Sequence, residues 1–374
     1  MAVISFARGV PTPECLPVEE LAECARAAVE RDGRTVLSYG PAGGYGPLRE
    51  SIAERHGVEP GRILVSNGSL QGFVFLAQRF RGERVLVEAP TYDRPLKILA
   101  AAGSQVTAVA CDADGLDPEA LERELAAGPA PAFLYTIPTF QNPSGRTLGA
   151  ERRRRLVELA REHVLLVLED DPYGLVRFEG EAPPTLFELD GGERVAYSSS
   201  FSKTIAPGLR VGYFVLPHRL EQELEAIAVS TYITPALLAQ ATVAEYLRRG
   251  LFEPGLERVR GLLRARRDTM LAAVERFPPG TSWSRPEGGY FLWLDLPAGL
   301  DVRELLAAAE SEDVTFVPGT DFFPAGAGGT SSARLAYSFV SSDEIATGMG
   351  RLAELVRRRV SPSAAASRAT AARP

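Results

Sequence analysis

The sequence predicts an α/β fold: a large domain on a mostly parallel sheet of seven strands, followed by a smaller α+β domain. Between residues 62 and 217, apolar β-branched runs alternate with helical stretches, which is the pattern of βαβ units. Several of these runs are apolar throughout, as in strands that are buried on both faces of a parallel sheet. The length of 374 residues also favours a large domain with a smaller one over a single core.

The predicted elements follow in a consistent order along the chain. Helical stretches such as 69–80 and 149–163 separate several strands, and a long helix is predicted over 251–276. The seven predicted strands of the large sheet are 62–66, 84–90, 105–111, 132–138, 164–171, 195–200 and 212–217. After the long helix we expect strands near 288–296, 314–319 and 333–339, and helices near 301–312 and from Ser341 onward.

These patterns divide the chain into four segments. Residues 1–35 form an N-terminal segment that we expect to pack with the small domain. The large domain spans 36–250, and the small C-terminal domain spans 251–360. The last residues, 361–374, are small and polar, so we expect a disordered tail.

Composition and charge argue against several classes of function. The formal net charge of −7 is unfavourable for binding nucleic acid or an anionic membrane. The three cysteines and three histidines are scattered, without the spacing of a disulfide framework or of zinc ligands. There is no signal-peptide pattern and no apolar run long enough to span a bilayer. We therefore expect a cytoplasmic protein with no metal, whose partners are small molecules.

Lysine occurs at only two positions, although the chain has 41 lysine and arginine residues. Lys203 follows the predicted strand 195–200, in the segment SSSFSKTIAPGLRVGYF. Arginine cannot replace a lysine that must become a neutral amine, and such an amine can attack an aldehyde to form a Schiff base. A surface lysine at a strand–helix junction is the alternative interpretation. Lys97, in a helical stretch, has only the surface interpretation.

Polar residues follow several other predicted strands, at the place where ligands bind in open α/β sheets. Asp170 ends a strand so apolar that its carboxylate needs a cationic partner, for which a protonated ring nitrogen would serve. Tyr173 lies in the following turn, within reach of the same ligand. Asn142 can donate to a ring oxygen, and Tyr92 can stack on a flat ring. A simple turn at Asn142 and partial burial of Tyr92 are the alternatives.

Anion-binding residues occur in three further segments. The hydroxyls of Ser200 and Ser202, with Arg210, can surround a phosphate. The segment SNGSLQGF opens a helix at Ser69, whose backbone N–H groups form an anion site, although Asn-Gly-Ser is also a common helix cap or turn. Arg334 lies in an otherwise apolar strand and needs an anion, either a substrate carboxylate or an internal salt-bridge partner.

Together, the segments SFSKTIAPGLRVGY, QNPSG and EDDPY resemble the class I/II aminotransferases of fold type I, which depend on pyridoxal 5′-phosphate. The resemblance extends over roughly residues 4–358. It is closest to the branch that contains 2-aminoadipate and kynurenine aminotransferases and the aminotransferase-like half of the MocR regulators. It implies a homodimer that moves an amino group from an L-α-amino acid to a 2-oxo acid by a ping-pong mechanism.

The resemblance also implies a role for each matching residue. Lys203 resembles the Schiff-base lysine, Asp170 the partner of the pyridine nitrogen, Asn142 and Tyr173 the partners of the phenolic oxygen, and Tyr92 the stacking ring. The implied phosphate ligands are Gly68, Ser69, Leu70, Ser200, Ser202 and Arg210, joined by Tyr39 of the partner subunit. The implied contacts of the substrate α-carboxylate are Arg334, Asn142 and the backbone at Gly9.

Three residues depart from the pattern of the branch and are candidate substrate contacts. Arg8 stands where the branch tends to have glycine, Tyr290 replaces the usual methionine, and Tyr232 is expected near the substrate mouth. Arg8 either binds a distal carboxylate or is an exposed cation at the dimer edge. These departures leave open an enzyme that uses the same cofactor for elimination, substitution, cyclisation or oxidation of an amino acid.

Two other classes of function match less of the sequence. A MocR-type ligand-binding regulator carries a winged helix before this region, whereas here the match begins at Ile4. A nicotinamide oxidoreductase needs a strand before its glycine-rich loop, and none precedes GPAGGYG.

Overall fold

Three sheets, twelve α-helices and six short 3-10 helices occur in residues 3–360, the part of the chain that the computed structural model describes. The strands are β1 (Ile4–Ser5), β2 (Ile63–Ser66), β3 (Arg84–Ala89), β4 (Gln105–Asp112), β5 (Gly115–Leu116), β6 (Phe133–Thr136), β7 (Leu166–Asp170), β8 (Val195–Ser200), β9 (Gly212–Val215), β10 (Ser282–Trp283), β11 (Phe291–Asp295), β12 (Val314–Thr315), β13 (Val317–Pro318) and β14 (Ser332–Ala336). The helices are α1 (Val18–Val36), α2 (Gly46–His56), α3 (Ser69–Arg79), α4 (Asp93–Ala101), α5 (Pro118–Ala127), α6 (Ala150–Glu162), α7 (Leu186–Asp190), α8 (Glu221–Tyr232), α9 (Leu237–Arg248), α10 (Phe252–Val274), α11 (Val302–Glu310) and α12 (Ser342–Val360). The predicted tail, 361–374, lies outside the described residues.

The large sheet has eight strands in the order β2-β9-β8-β7-β6-β3-β4-β5. Its centre, from β8 to β4, is parallel, whereas β9 runs antiparallel to both β8 and β2, and β5 runs antiparallel to β4. The predicted α/β class is confirmed, with one more strand than the seven predicted. The extra strand, β5, is only two residues long and carries no apolar run by which the sequence could have revealed it.

Both faces of the central strands of this sheet are buried, which explains their apolar runs. Along β6, Phe133 and Tyr135 belong to one hydrophobic core and Leu134 belongs to the other. Successive side chains of a strand point to opposite faces, so the apolar run of a central strand contributes to two cores. The helices on either side cover these cores.

A second sheet, in the order β10-β11-β14-β13, is antiparallel. Helix α11 contacts its strand β13, and α12 packs against both α10 and α11. The N-terminal segment contacts both halves of the chain. Its strand β1 pairs in parallel with β12, with Ile4 opposite Val314. Its helix α1 packs against α9, where Arg31 forms an ion pair with the buried Glu245.

The strand directions bring the predicted site segments to one edge of the large sheet. The carboxyl ends of β3, β6, β7 and β8 lie at the same edge because these strands are parallel. Strand β9 runs antiparallel to both β8 and β2, so β2 runs parallel to β8 and ends at the same edge, where β9 begins. The segments that carry Tyr92, Asn142, Asp170, Lys203 and Arg210 therefore converge.

Candidate active site

A cavity of about 380 Å³ lies at this edge, between the large sheet and the antiparallel sheet. Thirteen of the seventeen residues predicted from the sequence line it: Arg8, Gly9, Ser69, Leu70, Tyr92, Asn142, Asp170, Tyr173, Ser200, Ser202, Lys203, Arg210 and Arg334. They come from segments far apart in the chain, so it is the fold that assembles them.

Lys203 lies just after β8, with its amine in the cavity and protein on its other sides. Its Nζ donates a hydrogen bond to the carbonyl oxygen of Gly9 at 2.9 Å. Burial, together with the nearby positive charges of Arg334 and Arg210, lowers the pKa of Lys203 from its usual value of 10.5 to about 8. An amine with this pKa is neutral in a substantial fraction of molecules near neutral pH, as nucleophilic attack requires.

Asp170 ends β7 and points into the same cavity. Its Oδ2 accepts a hydrogen bond from the hydroxyl of Tyr135 at 2.8 Å, whereas its Oδ1 is buried and has no hydrogen-bond partner among the described residues. Burial raises the pKa of Asp170 to about 6, against the opposing effect of the Tyr135 hydrogen bond. A buried carboxylate oxygen without a partner is costly, so this atom is suited to a protonated ligand nitrogen.

Asn142 and Arg334 form a buried pair on the opposite wall of the cavity. Arg334 Nη1 donates to Asn142 Oδ1 at 2.9 Å, and Nη2 donates to the carbonyl oxygen of Ala7 at 2.8 Å. Its Nε has no partner among the described residues, and burial lowers the pKa of Arg334 to about 10. The guanidinium lies 4.4 Å from the ring centroid of Phe291 and 4.9 Å from that of Phe322. No carboxylate forms an ion pair with this arginine within residues 3–360, so the internal salt bridge that was the alternative interpretation is not formed there.

A polar cradle lies where α3 begins and β9 approaches it. Arg210 Nη1 donates to Ser202 Oγ at 3.2 Å, and Ser200 Oγ donates to the same oxygen at 2.9 Å. Gly68, the N-cap of α3, has φ of +90°, and a Cβ there would lie 2.1 Å from Arg210 Nη2. Only glycine therefore allows the guanidinium to lie against the helix N-terminus, where backbone N–H groups favour an anion.

Aromatic side chains form the remaining walls. Tyr92, the N-cap of α4, lines the cavity, and burial raises its pKa. Tyr173 is buried beside Lys203, whose Nζ lies 5.8 Å from the centroid of the Tyr173 ring. Tyr290 lies behind the lysine and donates from its hydroxyl to the Lys203 carbonyl oxygen at 2.9 Å. The tyrosine thus contacts the lysine backbone and does not itself line the cavity.

Two predicted residues lie away from the cavity within one chain. Tyr39 is 81% exposed, on the surface beside the segment 234–238. Tyr232 donates from its hydroxyl to the carbonyl oxygen of Ala42 at 2.9 Å, and its ring packs against that of Phe75 at an interplanar angle of 59°. The roles predicted for both tyrosines stay predictions.

The structure adds residues that the sequence analysis missed. Tyr135 holds Asp170, and Phe291 lies under Arg334. Asp93 and Arg94 line the mouth of the cavity, where Arg94 Nε lies 3.7 Å from Asp93 Oδ2. The only feature of the sequence that could have indicated a role for Tyr135 is its hydroxyl in the buried strand FLYT. Its partner, Asp170, becomes apparent only when β6 and β7 are known to be neighbours.

Membrane-spanning helices and clusters of metal-binding side chains are both absent from residues 3–360. None of the helices there is long and apolar enough to cross a membrane. No group of three or more histidine, cysteine, aspartate or glutamate side chains is placed there to hold a metal ion.

The chemistry of the cavity fits pyridoxal 5′-phosphate. The unpartnered Asp170 Oδ1 suits a protonated pyridine nitrogen, and the amine of Lys203 suits the aldehyde. The cradle of Gly68, Ser202 and Arg210 suits the phosphate.

Comparison with known proteins agrees with this fit. The model of the family aminotransferase class I and II matches residues 3–352. The chain is 39% identical over 362 residues to the 2-aminoadipate transaminase of Thermus thermophilus, which covers 95% of this chain and 90% of that enzyme.

Two crystal structures are similar over almost the whole fold. The kynurenine aminotransferase of Pyrococcus horikoshii, in complex with PMP, has a TM-score of 0.92 and 34% identity, covering 96% of this chain and 92% of that one. The α-aminoadipate aminotransferase of Thermus thermophilus, complexed with N-(5′-phosphopyridoxyl)-L-leucine, has a TM-score of 0.90 and 38% identity, covering 95% and 92%. The chain therefore belongs to the class I and II aminotransferases of fold type I and is a pyridoxal 5′-phosphate-dependent aminotransferase.

Proposed function

We propose that this enzyme moves an amino group from an L-α-amino acid to a 2-oxo acid by a ping-pong mechanism in which Lys203 carries the cofactor and transfers the α-proton. The observation that carries the proposal is the meeting of a buried amine and an unpartnered buried carboxylate oxygen, those of Lys203 and Asp170, in one cavity. When bound, the cofactor supplies an electron-withdrawing ring that stabilises negative charge at the substrate α-carbon.

The residues around Lys203 prepare the site for this chemistry. Asp170 holds a positive charge at the ring nitrogen, because its Oδ1 needs a donor and its Oδ2 is already satisfied by Tyr135. Tyr173 and Asn142 donate to the ring oxygen. With cofactor and substrate bound, the neutral amine of Lys203 would accept the α-proton of the substrate and donate it to the cofactor, and its pKa near 8 makes both transfers accessible.

Arg334 is proposed to bind the substrate α-carboxylate, assisted by the backbone at Gly9. No carboxylate in residues 3–360 forms an ion pair with this guanidinium, and its Nε has no hydrogen-bond partner there. Asp93 acts on its positive charge only at longer range. A carboxylate would compensate that charge and meet the planar donor set. A Cβ at residue 9 would lie 2.4 Å from the Phe291 ring, so glycine keeps this backbone close to the substrate.

Arg8 is proposed to bind a distal carboxylate of the substrate. Its guanidinium lies 3.9 Å above the ring of Phe339 and lines the cavity mouth. Within residues 3–360 no carboxylate forms an ion pair with it. Stacking fixes the plane of the guanidinium and leaves its N–H edge for a ligand. The similar Thermus enzyme is named for 2-aminoadipate, an amino acid with such a carboxylate.

The variant Arg8→Gln is expected to raise KM about 10-fold for amino acids with a distal carboxylate, because it removes one charge-assisted contact. KM for monocarboxylic amino acids should stay unchanged. Steady-state kinetics with one substrate of each kind measures the difference. Arg94→Gln is the matched control at the same mouth, since Arg94 already has Asp93 beside it. Equal changes in KM for both kinds of substrate would contradict the assignment and favour an exposed cation at the dimer edge.

We further propose a cytoplasmic homodimer in which Tyr39 reaches the phosphate cradle of the partner subunit. The high exposure of Tyr39, beside the exposed Leu37, supports a surface that a second copy covers. The three cysteines, Cys15, Cys24 and Cys111, are all free thiols, which is the usual state in a reducing compartment.

The experiment that tests the proposed reaction is a visible spectrum of the holoenzyme during addition of single amino acids without any 2-oxo acid. Transamination predicts stoichiometric conversion of the cofactor to its amine form, with release of one 2-oxo acid per subunit. Product release without that conversion would contradict transamination. It would favour elimination, substitution, cyclisation or oxidation with the same cofactor.

A further inference from the structure

Glu88 is a buried carboxylate that the proposed reaction does not use. It lies on β3, is 2% exposed, and does not line the cavity. Its Oε1 accepts from Thr136 Oγ1 at 2.6 Å, and its Oε2 accepts from the backbone N–H of Ile137 at 3.1 Å and from Gln141 Nε2 at 3.0 Å. All three partners lie on β6 or in the segment that follows it.

All hydrogen-bond partners of Glu88 in residues 3–360 are neutral, in contrast to the buried carboxylates of Glu169 and Glu245. Glu169 lies 3.6 Å from Arg153, and Glu245 contacts Arg31, Arg248 and Arg249. Burial raises the pKa of Glu88, and its three hydrogen bonds oppose that shift. Burying a carboxyl group without a cationic partner costs free energy, so the packing around Glu88 must maintain its hydrogen bonds. Those hydrogen bonds in turn restrain the segment that follows β6.

Gln141 connects Glu88 to the loop of the active site. Besides donating to Glu88, its Nε2 donates to the carbonyl oxygen of Pro90 at 2.6 Å. Its Oε1 accepts from the backbone N–H of Ser144 at 3.0 Å. The side chain, 5% exposed, thus ties the end of β3 to both sides of Asn142. Carbonyl and carboxylate oxygens only accept and a backbone N–H only donates, so the orientation of the Gln141 amide is determined.

The amide of Asn142 is oriented in the same way. Arginine only donates, so the atom of Asn142 that faces Arg334 Nη1 at 2.9 Å must be the oxygen. Its Nδ2 is then left to donate to the ring oxygen of the cofactor. Asn142 Nδ2 can contact the cofactor while Oδ1 contacts Arg334 only if the backbone at residue 142 is held in one position between them.

We infer that Glu88 and Gln141 form a buried clamp that positions Asn142, so that its Nδ2 donates to the cofactor ring oxygen while its Oδ1 orients Arg334. Both are positioning residues, since neither lines the cavity. The inference rests on the proposed function, which assigns Asn142 to the ring oxygen.

The test is a pH titration of the visible absorption of the bound cofactor in purified holoenzyme. A hydrogen bond donated to the ring oxygen stabilises the deprotonated oxygen and so lowers the pKa of the bound chromophore. Loss of an oriented donor should therefore raise the midpoint of the titration. Asn142→Ala removes the donor and is expected to raise the midpoint by about 1 pH unit. Glu88→Gln and Gln141→Met should each raise it by about 0.5–1 unit and lower kcat/KM about 10-fold.

The double variant Glu88→Gln/Gln141→Met should shift the midpoint no further than either single variant, because the two residues act through one connection. Asp190→Asn is the matched control. Asp190 is also buried and accepts from two backbone N–H groups, those of Arg194 and Val195, away from the cavity. The Asp190→Asn variant should have a lower melting temperature and an unchanged midpoint of the cofactor titration. Glu88→Gln brings an amide N–H close to groups that donate to Glu88, such as Thr136 and Ile137, and could therefore prevent folding. Gln141→Met introduces no such donor, so it provides the test if Glu88→Gln does not fold.

The possible outcomes separate this inference from the proposed function. A shift in Asn142→Ala with none in Gln141→Met overturns the clamp alone, as does a shift of equal size in Asp190→Asn. Absence of any shift in Asn142→Ala overturns the role assigned to Asn142, and the clamp with it. A wild-type protein that binds no cofactor overturns the proposed function itself.

Discussion

Replacing Lys203 with arginine should abolish transamination, with a loss of at least about 10³-fold in kcat/KM. Arginine keeps the positive charge and nearly the length of the side chain, but it stays protonated at every pH at which the enzyme folds. The variant therefore has neither a nucleophile for the cofactor aldehyde nor an acceptor for the α-proton. Steady-state kinetics with an amino-acid donor and a 2-oxo acid measures the loss.

Lys97→Arg is the matched control, because it is the same substitution at the other lysine of the chain. Lys97 is exposed on α4 and pairs with Asp93 at 3.0 Å, a contact that arginine can also make. Its activity should equal that of the wild type. Transamination by Lys203→Arg at a rate within 10-fold of the wild type would show that another group performs the proton transfer.

Replacing Arg334 with alanine is expected to lower kcat/KM for α-amino acids by about 30- to several-thousand-fold. The substrate carboxylate then enters a buried site without a partner, at a cost of about 2–5 kcal/mol. Part of that loss arises because Asn142 Oδ1 and the Ala7 carbonyl oxygen also lose their donor. The slow reaction of a primary amine that lacks a carboxylate should change little, and comparing the two substrates measures the effect.

Arg62→Ala controls for loss of a buried arginine. Arg62 donates to the carbonyl oxygens of Leu216 and Gly192 and does not line the cavity. It should lower stability and leave kcat/KM of the folded enzyme near that of the wild type. Wild-type kinetics of Arg334→Ala on an α-amino acid would contradict the proposed carboxylate contact.

The sequence predicted most of the large sheet because its strands are buried on two sides. A run such as 165–168 is apolar at each position and contributes to both cores, and such runs stand out between helical stretches. The short strands β1, β5 and β10, of two residues each, have no such run. They form because the chain passes beside a neighbouring strand, so only the three-dimensional structure reveals them.

The candidate site was predictable where a residue type is chemically unusual in its segment. A lysine in an arginine-rich chain, an aspartate ending an apolar strand and an arginine inside another all stood out. Contacts between distant segments did not. Asn142 and Arg334 are 192 residues apart, and nothing in either segment predicts that one donates to the other. Glu88 carried no signal for the same reason, since its partners lie on the neighbouring strand β6.

The most direct test of the central claim, that Lys203 carries the cofactor, is to reduce the holoenzyme with borohydride and digest it. Reduction fixes a carbonyl cofactor to the amine that holds it, and mass spectrometry then identifies the modified lysine peptide. The account predicts one phosphopyridoxyl group per chain, on the peptide that contains Lys203, with the Lys97 peptide unmodified. A stoichiometric group on Lys97, or no modified lysine in protein that shows the visible band of the cofactor, would contradict it.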